Sequence, residues 1–293
     1  MQARPRVAWL AGLCTVGLAT GCDRVWGIHD PIPGDGPAAD TGSDGGCPTT
    51  GGLPASSPIL LSEAVLSPSV GEMIEIVNTS NDEVDLSTYY LSDSGNYHRL
   101  PFQASVDTTD FIVRFPDGTR IQGHGVMTIA IDAPASFAAT YGVSPSFSVA
   151  DQSMDRIMVN GTARLTDTGE PIILFQWDRC SDLLRDVDIM IVGNPSAANL
   201  LTNKSGVSQD GPDPDTQPST YATDMRSIAS QASAPGTGLS TKRVVLEGGH
   251  ETHNGTGNGQ SGDDETSEDT TQTWDGTAAK AFTAPDPGAA CCR

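Results

Sequence analysis

The chain has 293 residues, with 16 Lys and Arg against 37 Asp and Glu and a formal net charge of −21. That balance repels nucleic-acid phosphate and leaves no basic patch for docking on anionic lipid, so DNA and RNA are disfavoured as partners. The acids serve either to keep a surface solvated or, in the sharper reading, to hold calcium.

At the N-terminus, Arg4 and Arg6 give a positive start, Val7 to Ala19 form an apolar stretch, and small residues lead to Gly21. The stretch is too short for a spanning helix, which needs ~20 apolar residues, and its order is that of a secretory signal. It also lacks the amphipathic face of a buried core helix. Leu18-Ala19-Thr20-Gly21-Cys22 resembles a lipobox, the cleavage motif of bacterial lipoproteins, with Ala19 where that motif prefers Leu. The resemblance implies a signal peptide over residues 1–21, acylation of Cys22, and an exported lipoprotein of the bacterial cell envelope, facing the periplasm or the cell surface. Membrane lipid is then the first expected partner, held by about 0.8 kcal/mol per buried CH₂ of each acyl chain. Cleavage removes two arginines and no acids, which leaves 14 basic and 37 acidic residues and a net charge of −23.

Residues 22–57 are rich in Gly, Pro, Asp and Ser. Such a segment cannot bury enough apolar surface to offset its ordering entropy and reads as a disordered, acidic tether. Val25-Trp26-Gly27-Ile28 reads equally as lipid-interface contact or plain linker. Once Cys14 leaves and Cys22 takes lipid, Cys47, Cys180, Cys291 and Cys292 remain, and four thiols in an oxidising compartment allow three pairings. A bond between adjacent Cys291 and Cys292 is strained, which favours the two pairings where each joins Cys47 or Cys180. Zinc is the competing use, but there is no Cys-x-x-Cys pair and no His at ligand spacing.

From Pro58 short apolar runs take over. Strands are expected at Ile59–Leu66, Met73–Val77, Phe111–Phe115, Val126–Ile131, Arg156–Val159, Ile172–Trp177, Val187–Val192 and Lys242–Leu246. Turn formers separate them, and scarcely any helical period is present, which points to an all-β sandwich or barrel. Asn160-Gly161 is expected to close a two-residue hairpin, because both positions tolerate positive φ. Helical turns are expected at Ala135–Tyr141 and around Thr220–Gln231. The polar stretches at about 194–240 and 248–273 read as long loop insertions from one domain spanning 58–290.

The segment Glu63 to Asp93 resembles the opening of a lamin-tail domain. The residues that carry the likeness are Glu63, then Glu72-Met73-Ile74-Glu75-Ile76-Val77-Asn78, then Val84-Asp85-Leu86-Ser87-Thr88-Tyr89-Tyr90-Leu91-Ser92-Asp93. Thr88 and Tyr89 stand where that family has Gly and Trp. Gly169 to Leu174, Leu184 to Asp188, Lys242 to Val244, and Trp274 with Phe282 to Gly288 resemble its later parts. The resemblance implies an immunoglobulin-like β-sandwich. Beside it, Glu75 reads as a strand carboxylate bonding a loop N–H or an arginine rather than as a catalytic acid.

Chemistry-bearing motifs are sparse. Gly249-His250-Glu251-Thr252-His253 has its histidines three apart in a Gly-rich stretch, whereas a zincin needs four on a helix. No Gly-x-Ser-x-Gly elbow or phosphate loop occurs. Asp210-Gly211-Pro212-Asp213-Pro214-Asp215 and the denser cluster Asp263-Asp264-Glu265 with Glu268-Asp269 offer oxygen ligands, but neither follows EF-hand order. Asp263, Asp264 and Glu265 are the best calcium candidates, and no other cofactor is expected. The functional expectation is a non-enzymatic envelope lipoprotein that displays the sandwich for binding, adhesion or scaffolding, with a protein or glycan partner. A calcium-dependent binding module and an accessory to an exported hydrolase or nuclease are the alternatives.

Overall fold

A computed structural model of the chain describes residues 47, 53–193, 202–225, 232–245 and 251–279. The chain divides into two compact units, Met1–Ser43 and Asp44–Arg293, and all described residues lie in the second. The signal peptide, Cys22, Cys291, Cys292 and most of the tether fall outside the described residues.

The first ten strands are β1 (Ile59–Val65), β2 (Met73–Asn78), β3 (Val84–Asp85), β4 (Tyr89–Ser92), β5 (Phe111–Arg114), β6 (Arg120–Ile121), β7 (Val126–Ala130), β8 (Phe147–Ser148), β9 (Asp155–Val159) and β10 (Gly169–Gln176). β11 (Arg185–Gly193), β12 (Ser208–Gln209), β13 (Ser219–Thr220), β14 (Leu239–Arg243) and β15 (Trp274–Ala279) follow, with short helices α1 (Pro134–Tyr141) and α2 (Thr270–Thr273). One sheet has the order β15-β14-β1-β2-β7-β8 and the other β11-β10-β4-β5-β9. Ile59, Leu61, Ile74, Ile76 and Ile129 of the first interlock with Leu91, Phe111, Val113, Ile172, Leu174 and Met190 of the second in one core. The protein is an all-β sandwich, as the run of short strands implies.

Two bulges decide which side chains face that core. In β1 the register slips between Leu61 and Glu63, so the inward positions run Ile59 and Leu61, then Ala64 and Leu66. Val65 is thereby turned to the outer face, where it packs with Met73, Ala130 and Phe137. α1 supplies Phe137, beginning with Pro134 at its first turn and ending at Gly142, whose φ of 76° suits a glycine C-cap. In β11, Asp188 lies opposite Leu174 and Asp186 opposite Phe175, leaving Val187 as the extra residue. A plain strand would put both aspartates on one face; the bulge sends them to opposite faces.

The outer face of the second sheet is covered as well. Tyr90, Ile112, Ile173, Phe175, Ile189 and Ile191 carry a second apolar cluster, capped by Tyr97, Leu100 and Val106. Over this lies residues 202–225, whose Tyr221 hydroxyl contacts the His98 carbonyl at 3.1 Å and accepts from the Leu184 N–H at 2.9 Å. Gln209 Nε2 donates to the same His98 carbonyl at 3.0 Å. What reads in sequence as a polar excursion is here a lid fixed by buried hydrogen bonds.

Four expectations are corrected. Asn160-Gly161 does not close a hairpin: β9 pairs with β5, from Phe111↔Val159 to Arg114↔Asp155, and Gly161 at φ 80° turns the chain into a loop. Of the turn expected around Thr220–Gln231, Thr220 belongs to the strand Ser219–Thr220 and no helix forms up to Met225, while residues 226–231 lie outside the described residues. Cys47 bonds Cys180, with Cα atoms 5.4 Å apart, which excludes both pairings in which these two join Cys291 and Cys292. The tether also ends earlier than residue 57. Arg185 donates to the carbonyls of Leu53 and Pro54, Tyr89 donates to Ser57 Oγ at 2.7 Å, and Ser261 N–H reaches the Ala55 carbonyl at 3.2 Å.

Candidate binding cleft

Where the two sheets meet, β14 pairs with β1 at Glu63 and Ala64. Below the bulge, the Leu61 peptide is taken by side chains. Its N–H donates to Asp188 Oδ2 at 2.7 Å, and its carbonyl accepts from Arg243 Nε at 2.8 Å. Arg243 also pairs with Asp188 Oδ1 and, at 3.3 Å, with Glu268 Oε1. Its guanidinium lies 4.9 Å from the Trp274 ring centre. These are buried charges, and burial costs several kcal/mol per ion unless each is paired and bonded; Arg243 uses all three of its nitrogens.

Beside this pair opens a cleft of about 200 Å³ whose lining includes Ser57, Asp188, Arg243, Glu251, Asp263 and Glu265. The segment 251–269 brings in three of them. Glu251 bridges Glu268 through the backbone, and Asp264 caps a 3-10 turn over Glu265–Ser267 by accepting from Thr266 N–H. Glu265 thereby points into the cleft. Gly259 makes room for it, because a Cβ there would stand 2.9 Å from both Glu265 Cγ and Oε1.

The electrostatics of the cleft are lopsided. Asp188, Glu251, Asp263, Glu265 and Glu268 share one guanidinium, that of Arg243. Glu265 is 7% exposed, and among the described residues its carboxylate has no hydrogen bond or ion pair. Glu251 Oε2 and Glu268 Oε2 are also buried without a donor. Burial, reinforced by Asp188, Glu251 and Glu268, pushes the Glu265 carboxyl well above the ordinary range. Burial likewise raises Glu268 to about 7, although Arg243 pulls the other way.

The three calcium candidates are not one ligand set. Asp263 and Glu265 line the cleft, whereas Asp264 turns inward. Its Oδ1 takes Thr266 N at 3.1 Å and Thr266 Oγ1 at 2.6 Å, and its Oδ2 takes Met225 N at 2.6 Å. Among the described residues, the group of three carboxylates close enough together to share one ion is Asp182, Asp210 and Asp213. Asp182 already accepts Gly211 N at 2.6 Å and Ser219 N at 2.9 Å, one on each oxygen. Of the paired histidines, His250 lies outside the described residues, and His253 is exposed with its carbonyl accepting from Asp264 N. Glu75 accepts from Ser62 Oγ at 2.7 Å and faces Glu63 across the strands, rather than a loop N–H or an arginine. Burial raises it to about 7, with the charge of Glu63 adding to the effect.

Arg243 and Asp188 carry the site without having been singled out as site residues in sequence, whereas Glu268 belongs to the acidic run weighed for calcium. The one available signal is a lone arginine ending an otherwise ordinary strand.

No family model matches the chain, and no curated protein does either. Among solved structures, it is similar to the crystal structure of a DUF4876 family protein from Bacteroides thetaiotaomicron VPI-5482. The TM-score is 0.44 at 14% identity, covering 79% of this chain and 73% of that one.

Proposed function

We propose that the chain is a non-enzymatic cell-envelope lipoprotein, tethered through acylated Cys22, that displays a lamin-tail-like sandwich and binds a cationic group in the acidic cleft. The observation that carries the reading is the acid-lined opening itself: Asp263 and Glu265 line it with Glu251, and the buried Oε2 atoms of Glu251 and Glu268 have no donor among the described residues. A buried charged group left unsatisfied costs roughly 1–3 kcal/mol or more, and a ligand that brings positive charge recovers that cost. The carboxylates around the cleft do not converge on one point, since Asp264 is turned away to Thr266 and Met225. An extended cation with several N–H donors, an ammonium or guanidinium of a protein or amino-glycan partner, fits that spacing better than a point ion.

The test is calorimetric titration of the detergent-solubilised full-length protein with lysine methyl ester, arginine methyl ester, glucosamine and calcium chloride. Binding of an organic cation that weakens with salt and disappears in Glu265→Gln supports the reading. Binding of calcium alone would replace it with a calcium-dependent module, and no binding of any probe would overturn it. Membrane fractionation of Cys22→Ala tests the anchor separately: an unchanged membrane fraction would remove it.

A further inference from the structure

A second ionic cluster lies on the opposite face of β11, beneath the lid of residues 202–225. Lys204 Nζ stands 2.8 Å from Asp186 Oδ2 and 3.1 Å from Asp224 Oδ1, with side-chain exposures of 0%, 2% and 0% respectively. Nζ approaches both carboxylates at ion-pair distance. The Tyr97 ring, 5.7 Å from Nζ and wholly buried, helps to wall the group from water. From this geometry we propose that Lys204 and Asp186 join in an intramolecular amide bond, with Asp224 as the proton acceptor.

The two aspartates are fitted to different roles. Asp224 Oδ2 accepts the backbone N–H of Lys204 at 2.5 Å and its Oδ1 accepts from Asn258 Nδ2 at 2.7 Å, which fixes the carboxylate beside Nζ. Asp186 instead takes the Tyr97 hydroxyl on Oδ1, and burial lifts it above the ordinary carboxylate range despite Lys204 beside it. Tyr97 itself stays a donor, since burial and Asp186 push its phenol far up. With Oδ1 held by the Tyr97 hydroxyl and Oδ2 turned to Nζ, the Asp186 Cγ is presented to the lysine nitrogen.

The step needs nothing from outside. The Lys204 ammonium gives one proton to the Asp224 carboxylate, and the freed amine attacks Cγ of the protonated Asp186 carboxyl. A C–N bond forms, the C–OH bond breaks, and the hydroxyl leaves as water with a second proton from the nitrogen. The third proton stays on the amide, and Asp224 keeps the one that it took. Holding amine and carboxyl together in a dry interior supplies the high effective concentration that the condensation requires. The product would bind the lid covalently to β11.

Trypsin reads the outcome directly. Residues 186–226 contain no internal Lys or Arg except Lys204, and Arg185 and Arg226 flank the stretch. The full-length protein purified from membranes is reduced, denatured and digested. An amidated Lys204 resists cleavage, so one peptide covering 186–226 is expected, lighter by one water, with backbone fragment ions missing between Asp186 and Lys204. Asp186→Ala should restore cleavage after Lys204, and because the digest is denatured this does not depend on the variant folding. Peptides 186–204 and 205–226 at full mass in the natural protein would overturn the proposal. A water lost between Lys204 and Asp224 would overturn it equally.

Discussion

Replacing Glu265 by Gln removes a carboxylate that no donor in the structure satisfies, from among Asp188, Glu251 and Glu268. The amide keeps the shape and brings two N–H groups toward carboxylates whose buried oxygens, Glu251 Oε2 and Glu268 Oε2, have no donor. Satisfying or discharging such a group contributes about 1–3 kcal/mol, and each kcal/mol raises the midpoint of a domain this size by roughly 2–4 °C. The gain depends on pH with a definite sign. Because the folded-state pKa of Glu265 is raised, the folded protein keeps a proton that the unfolded chain has already lost. The natural protein therefore loses stability as pH climbs from the ordinary carboxylate range through the raised value. The Gln variant escapes that loss, so its advantage is near zero at pH 4.5 and grows toward pH 8.5. Urea unfolding of both proteins across this range measures it. An advantage constant with pH, or a variant less stable throughout, would show that Glu265 has a partner in the folded protein and would remove the argument for the cleft.

Two further outcomes follow from the same charges and covalent bonds. Arg243→Met should cost about 3–5 kcal/mol at pH 8, because Asp188 and Glu268 are left buried without their cation. The cost should shrink toward pH 5 as the carboxyls take up protons, and unfolding at the two pH values checks it; equal costs would mean that packing rather than charge dominates. Cys180→Ala opens a bond that closes 133 residues of chain, for which a loss of about 2–5 kcal/mol is expected. Thermal melts with and without dithiothreitol should show the natural protein falling to the level of the variant.

Legibility in the sequence followed the hydrophobic signal. β1, β2, β5 and β7 fall where apolar runs predict them, and α1 lies within one residue of the expected start, because these elements are held by the core. Bulges escape such a reading, since one extra residue reverses which side chains face inward, and Asp186 and Asp188 owe their separate roles to it. The stretches at about 194–240 and 248–273 read as insertions because the order of their described parts comes from Asp, Thr, Ser, Gln and a buried lysine rather than from periodic apolar residues. Lys204 is the one cation of residues 202–225, a position that composition marks but does not explain. Cysteine pairing failed for a different reason: spacing along the chain says nothing of the 5.4 Å that separates Cys47 from Cys180.

The bond from Cys47 to Cys180 also sets the path that tension takes. Cys180 lies between β10 and β11, so a pull applied upstream of Cys47 enters the sandwich at that connection. The five residues before Pro58, which reach the edge of the cleft at Ser56 and Ser57, stay slack while the bond holds. A chain tugged from its N-terminal side would load the second sheet and spare the wall of its binding cleft.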